Sequence, residues 1–212
     1  MKRILHVDSS PRSDRSISRS LTEGFIAAWK EMFPSDTVTY RNLGHYSVPL
    51  IDESWITASF TPPEQITSRL ATVLALSDEL IDELLAAEIW VFGIPMYNYS
   101  VPANFKAYID QIVRVRRTFI VNERGEYEGL VHNKKVIVIT ARGGVFSPGT
   151  PNAELDFQEH FMRAIFNLIG VTDITFIHAE NLAGGAEARQ QSLSDARAAI
   201  QQFIAACGGS GQ

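Results

Sequence analysis

Short runs of aliphatic and β-branched residues alternate along the chain with longer stretches in which apolar residues recur every three or four positions. The first pattern is that of buried strands and the second that of amphipathic helices, so their alternation predicts repeated strand-helix units around a parallel sheet. Strands are expected at Arg3 to Val7, Thr37 to Leu43, Glu88 to Ile94, Lys135 to Thr140 and Asp173 to His178. Ile17, Leu21, Phe25, Trp29 and Met32 form one helical stripe. Ile66, Leu70, Val73, Leu74, Ile81 and Leu84 form a second, and Leu193, Ala196, Ile200, Phe203 and Ile204 a third. Asp78, Glu79, Asp82 and Glu83 fall off the second stripe and read as a solvated face.

Two segments break the rhythm. Gly44 to Pro63 carries Trp55 and Phe60, and Arg114 to Asn133 reads as a hairpin in which Phe119-Ile120-Val121 and Tyr127 flank Asn122-Glu123-Arg124-Gly125. Connections this long in a compact domain are usually functional or interfacial. The stretch around Phe157, Phe161, Met162, Ile165, Phe166 and Leu168 is apolar on more than one side, which suggests a second buried face at a subunit contact.

With 212 residues, 45% of them hydrophobic and 20% charged, the chain suits one domain with a full core. Residues 1–207 read as that domain and 208–212 as a flexible tail. A net charge of -5 speaks against a nucleic-acid partner held through its phosphates. Arg114, Arg116 and Arg117 make the one concentrated basic patch, read as a solvated helix end or as contacts to a cofactor phosphate or partner subunit. No secretory apolar region follows Met1-Lys2-Arg3, and no run approaches the roughly 20 apolar residues of a membrane span. A cytoplasmic protein without membrane attachment is expected. The single Cys207 excludes an intrachain disulfide framework, and the scattered histidines lack zinc-ligand spacing, so no metal is expected. No Gly-x-Ser-x-Gly elbow marks a hydrolase.

Three loops leave the carboxyl ends of the first, third and fourth expected sheet strands, where open α/β sheets bind ligands. The first runs from Asp8 through Ser10, Ser16, Ile17 and Ser18 into a helix, and combines hydroxyls with the positive end of that helix. It suits a phosphate, although Ser16 or Ser18 equally suits a helix cap. Neither a Gly-x-Gly-x-x-Gly fingerprint nor a nucleotide P-loop is present. The second loop contains Pro95, Met96, Tyr97, Asn98, Tyr99, Ser100, Val101 and Pro102. Its apolar and aromatic residues read as the lining of a pocket for something flat rather than as a turn, and Asn98 offers a donor and an acceptor to a heterocycle edge. The third, Ala141-Arg142-Gly143-Gly144, lets backbone amides approach a ligand closely.

Taken together, these loops resemble those of the FMN-dependent NADH azoreductase and NADH:quinone reductase family of flavodoxin-like proteins, and the likeness runs from Lys2 to about Ala205. The resemblance implies a flavodoxin-like α/β fold, with a five-stranded parallel sheet in the order 2-1-3-4-5 and helices on both faces. It implies that Ser10, Ser16, Ile17 and Ser18 hold the FMN phosphate, that Pro95 and Met96 to Tyr99 lie against the isoalloxazine ring, and that Ala141 to Gly144 meet its pyrimidine side. Ala141 replaces the family's serine and Tyr99 its commoner phenylalanine. Hydride would pass from NADH through FMN to quinones or aromatic azo compounds in ping-pong order, with no catalytic side chain. A homodimer with one FMN per subunit is implied, in which Asn98, Tyr99, Phe119 and Phe161 are candidates for the substrate wall. A non-enzymatic electron carrier of the flavodoxin type is the alternative, and an FAD-using quinone reductase of related fold a third.

Overall fold

Five of the apolar runs pair in parallel, and across the sheet they lie in the order Thr37–Asn42, Arg3–Asp8, Ile89–Pro95, Lys135–Ala141, Asp173–Ala179. In this computed structural model, which describes residues 1–46 and 48–209, β1 spans Arg3–Asp8, β2 Thr37–Asn42 and β3 Ile89–Pro95, while β6 spans Lys135–Ala141 and β7 Asp173–Ala179. Each expected strand is therefore present to within a residue or so at either end. The short strands β4 (Phe119–Val121) and β5 (Tyr127–Gly129) pair antiparallel as the expected hairpin.

Helices cover both faces, so β3 at the centre is buried at every position and reads as a continuous apolar run. One face carries α1 (Ile17–Met32) and α6 (Ala186–Gly209), which set Phe25, Trp29, Ile200 and Ile204 against Ile4, Val91, Ile137 and Ile139. The opposite face carries α3 (Ser68–Ala86), α4 (Ala103–Ile112) and α5 (Phe157–Leu168). There Leu84, Phe105, Tyr108 and Phe166 pack on Leu5, Trp90, Phe92 and Val138. Truncating a fully buried aromatic such as Phe92 removes about 3–5 kcal/mol in a core of this density.

Several expectations are corrected. The segment from Gly44 to Pro63 is not loop throughout: Asp52 caps α2 (Glu53–Phe60) by accepting from the Trp55 amide at 2.8 Å. Trp55 then buries its ring and donates from Nε1 to Gln111 on α4 at 2.8 Å. Ile66 lies before the helix that follows, which begins after its cap Thr67. The acidic run on α3 is not simply solvated. Arg41 bonds Glu79 and Glu83, each at 2.6 Å, and Arg114 and Arg117 converge on Asp78.

The same pairs answer the basic patch. Arg114 is buried, Arg117 also reaches Asp82 at 2.5 Å, and Arg116 donates to the carbonyls of Ser59 and Thr61. These arginines clamp the chain after α4 onto α3 and α2, which leaves them committed to their own fold. At the C-terminus α6 continues through Gly208 and Gly209, and the remainder of the expected flexible tail, 210–212, lies outside the described residues.

Candidate functional site

β1 ends in a buried polar knot that fixes the loop after it. Asp8 is fully buried and accepts from Thr22 Oγ1 at 2.9 Å and Tyr40 Oη at 3.1 Å. Arg19, also buried, donates from Nε and Nη2 to the Ser10 carbonyl at 2.8 and 2.6 Å. Asn104 ties in a third element by donating to the carbonyls of Ser9 and Leu43 at 2.8 and 2.9 Å. Ser10, Ser16 and Ser18 are thus buried but held in place around the start of α1.

Ser16 caps α1 by accepting from the Arg19 amide at 3.4 Å, and its hydroxyl stands 3.2 Å from that of Ser18. A helix start leaves its first amides without intrahelical acceptors. Those of Ile17 and Ser18 have none among the described residues. Capping and anion binding are therefore not alternatives here, because one hydroxyl satisfies one amide and leaves two others open beside it.

The stretch after β3 contains the turn that its composition argued against. Tyr97 and Ser100 exchange backbone hydrogen bonds at 2.9 and 3.0 Å, with Asn98 at φ 48° and Tyr99 at φ 66° between them. Two successive positive φ values define a tight two-residue turn usually made by Asn-Gly, and a bulky residue at the second place is strained. Strain of this kind costs on the order of 1–3 kcal/mol and tends to sit at functional sites. The turn presents its aromatic rings instead of burying them: Tyr97 is 39% and Tyr99 49% exposed.

Beyond β6 the loop is held from behind. The Arg142 side chain is buried and donates from Nη1 to Asp156 at 2.7 Å and Glu180 at 3.1 Å, and from Nε to Gln158 at 3.0 Å. Close by, His178 and Arg163 hydrogen-bond Glu159 and outweigh its burial, which holds that carboxyl down to about 2. Met96, Tyr97 and Arg142 have committed their amides to Ala141, Ser100 and Ala179. The amides of Asn98, Gly143 and Gly144 keep no protein acceptor among the described residues. A Cβ added at Gly143 would meet only Ala183 at 3.8 Å and would otherwise stand in open space.

That space is a cleft of about 240 Å³, lined by Ser10, Ser16, Ile17, Ser18, Pro95, Met96, Tyr97, Ala141, Arg142 and Gly143. Three separate loops of the sequence are therefore brought together as expected. Asn98, Tyr99 and Gly144 stand outside this lining; Tyr99 meets Phe146 edge-on at 6.1 Å between ring centres, next to Gly144. Phe119 packs on Tyr127, and Phe161 lies partly buried against the core, so neither lines the cleft of its own chain.

A sequence profile described as the flavodoxin-like fold matches residues 2–204. The chain belongs to that family. It is 61% identical to FMN-dependent NADH:quinone oxidoreductase 1 of Trichormus variabilis over 95% of both chains. Identity to the FMN-dependent NADH:quinone oxidoreductase of Nostoc sp. is 57%, over 97% of this chain and 99% of the relative. Among solved structures, an azoreductase from Bacillus anthracis superposes with a TM-score of 0.88 at 27% identity, covering 96% of this chain and 99% of the other. An FMN complex of an NADH-azoreductase from the same species shares the fold with a TM-score of 0.83 at 24% identity, covering 96% and 100%.

Sequence reasoning missed part of this flavodoxin-like chain's cleft. Arg12, Leu182, Ala183 and Arg189 also line it. Leu182 and Ala183 belong to the connection after β7, whose Asn181, Leu182 and Ala183 amides bond back to the carbonyls of Gly144, Arg142 and Gly143, and Arg189 lies in the first turn of α6. A strand end in fifth place with Gly184-Gly185 behind it was the available signal. Among the described residues no group of His, Cys, Asp and Glu side chains is placed to hold a metal, and no helix is long and apolar enough to cross a membrane.

Proposed function

We propose that this chain is an FMN-dependent NADH:quinone oxidoreductase of the cytoplasm that also reduces aromatic azo compounds to amines, as a homodimer with one FMN per subunit. The observation that carries this reading is the set of open amides and clustered serine hydroxyls in and beside one cleft. At one end stand the Ile17 and Ser18 amides with the hydroxyls of Ser10, Ser16 and Ser18, a phosphate-binding set at a helix start. At the other stands the Gly143 amide, with the open amides of Gly144 and Asn98 outside the lining, and this set suits the carbonyl edge of a flavin ring. The relatives in Trichormus variabilis and Nostoc carry that activity in their names.

Bound FMN would supply hydride transfer, accepting from NADH and delivering to a quinone or azo acceptor in ping-pong order. The protein's own residues bind, orient and shield. Pro95, Met96, Tyr97 and Ala141 line the cleft and would hold the ring, with Ala141 offering no hydroxyl. The open Gly143 and Gly144 amides would stabilise negative charge on a bound flavin, since fixed dipoles act without reorganising. Arg142 holds that loop through Asp156 and Glu180, so its guanidinium would act as a positioning group.

Asn98 and Tyr99 stand at the rim of the cleft, where the acceptor enters. We assign Phe119 and Phe161 to the partner subunit's cleft, with α5 as part of the subunit contact. Support for that contact comes from Phe157, which is 55% exposed at the start of α5. No side chain is assigned as a general base, and the proton that follows hydride transfer comes from solvent. The test is the visible spectrum of the purified protein, the identity of the flavin it releases, and NADH oxidation with menadione and with an azo dye. A yellow protein releasing FMN and turning over both acceptors is expected. A colourless protein that cannot be reconstituted with FMN contradicts the reading, and bound FMN without direct turnover would make the chain an electron carrier.

A further inference from the structure

Most arginines of this chain face carboxylates or carbonyls of their own fold. Arg3, Arg19, Arg41, Arg114, Arg117, Arg142 and Arg163 are in ion pairs, and Arg116 is bonded to carbonyls. Six others have unpartnered side chains among the described residues; Arg69 and Arg124 stand apart, whereas Arg12, Arg15, Arg189 and Arg197 come together. These four line one groove of about 450 Å³ between the start of α1 and the first turns of α6. Asp14 is the one carboxylate in that lining. In a chain of net charge -5, an accumulation of unanswered guanidinium groups in one concavity marks a place for an anion.

The groove is continuous with the cofactor cleft, since Arg12, Ser16, Ile17 and Arg189 line both. An anion in it therefore lies next to the phosphate that the Ser16 to Ser18 helix start would hold. Two adjacent phosphates repel unless cations stand between and around them, and Arg12 and Arg189 occupy that boundary. Arginine suits this task because its planar fork bonds phosphate oxygens two at a time.

Resting on the functional reading above, we propose that this groove is the phosphate subsite of the nucleotide donor: Arg15 and Arg197, with Arg12 and Arg189 at the boundary, hold the diphosphate of NADH while its nicotinamide lies over the flavin ring. No bond forms or breaks in the subsite. Its contribution is to donor affinity and to the association rate, both of which weaken as added salt screens the charge.

The test uses the Arg15→Ala/Arg197→Ala double variant, whose two side chains line the groove and not the cofactor cleft. Two donors are compared on the FMN-loaded enzyme: NADH, and 1-benzyl-1,4-dihydronicotinamide, which has a nicotinamide and no phosphate. The expected result is a KM for NADH raised about tenfold with kcat unchanged, and unaltered kinetics with the phosphate-free donor. Calorimetric titration with ADP, run with FMN saturating, is expected to show binding to the parent protein that the double variant loses. An unchanged KM for NADH, or an equal loss with both donors, overturns the proposal. A variant that loses affinity for FAD while its NADH kinetics stay the same also overturns it, because the groove would then serve the adenylate half of a longer flavin. Failure of the parent protein to bind FMN would overturn the functional reading instead, and ADP binding would still report on the groove.

Discussion

The sheet has a cleft at each end, and the larger one has the smaller claim to chemistry. At the amino ends of the strands, Lys2, Glu88, Lys134, Lys135, Gly170 and Asp173 line a concavity of about 540 Å³, against about 240 Å³ at the carboxyl ends. In the larger one every charged side chain but Lys2 is answered within the fold. Lys135 pairs with Asp173 at 2.7 Å, Lys134 donates to the Leu85 and Ala87 carbonyls, and Glu88 holds Arg3. In the smaller one the Ile17, Ser18 and Gly143 amides are open beside the hydroxyls of Ser10, Ser16 and Ser18. A helix start with its serine hydroxyls, not volume, distinguishes the smaller end from the larger. The asymmetry follows from topology, because helices begin where parallel strands end and so aim their free amides there.

The largest expected effect is at the frame behind the smaller cleft. Arg142→Ala leaves Asp156 and Glu180 facing each other without a buried cation, and is expected to lower unfolding free energy by about 3–5 kcal/mol in urea titration. A loss below about 1 kcal/mol would mean that the loop does not depend on that charge. Next is the phosphate end. Replacing Ser16 and Ser18 together by Ala removes hydroxyls that would bond an anion, at about 1.5 kcal/mol or more for each bond to a charged group. FMN affinity is expected to fall at least about 100-fold by fluorescence titration, and equal affinity would break the comparison.

The acid limb of stability comes third. Hydrogen bonds from His178 and then Arg163 hold Glu159 down from 4.5 to about 2, so the native state favours its charged form. The stability this provides is complete above about pH 4.5 and is lost as pH falls toward 2. Thermal melts over that window are expected to flatten in Glu159→Gln relative to the parent. Smaller still is Tyr99→Gly, which relieves a positive φ and is expected to raise stability by about 1 kcal/mol while altering acceptor KM. At the other end of the sheet, Lys135→Ala removes an exposed pair and is expected to cost less than about 1 kcal/mol, with FMN binding unchanged.

The strands were legible because a centrally buried parallel sheet leaves unmistakable runs such as Ile89-Trp90-Val91-Phe92. The three loops were legible because each follows such a run. Helix α2 was not, although Asp52 offered a cap signal, because eight residues between prolines carry too little periodicity. The Tyr97 to Ser100 turn was hidden by its own strain, since residues that do not favour positive φ were read as evidence against a turn. The acidic face of α3 was misread for a different reason: Arg41, Arg114 and Arg117 come from distant positions, and local patterning carries no such pairing. The same limit concealed the true cluster of unanswered arginines, which unites the start of α1 with that of α6, while the triplet in sequence proved to be clamped onto its own fold.

The measurement that tests the central claim most directly is FMN titration of the parent protein and of Gly143→Val, followed by flavin fluorescence and by urea unfolding. Gly143 carries no positive φ constraint, and a side chain there would project into the cleft without meeting the fold. One FMN bound per parent chain, affinity at least about tenfold weaker in the variant and unchanged unfolding free energy are the predicted result. Equal FMN affinity in the two proteins would show that the open amides at the carboxyl end of the sheet do not hold the flavin.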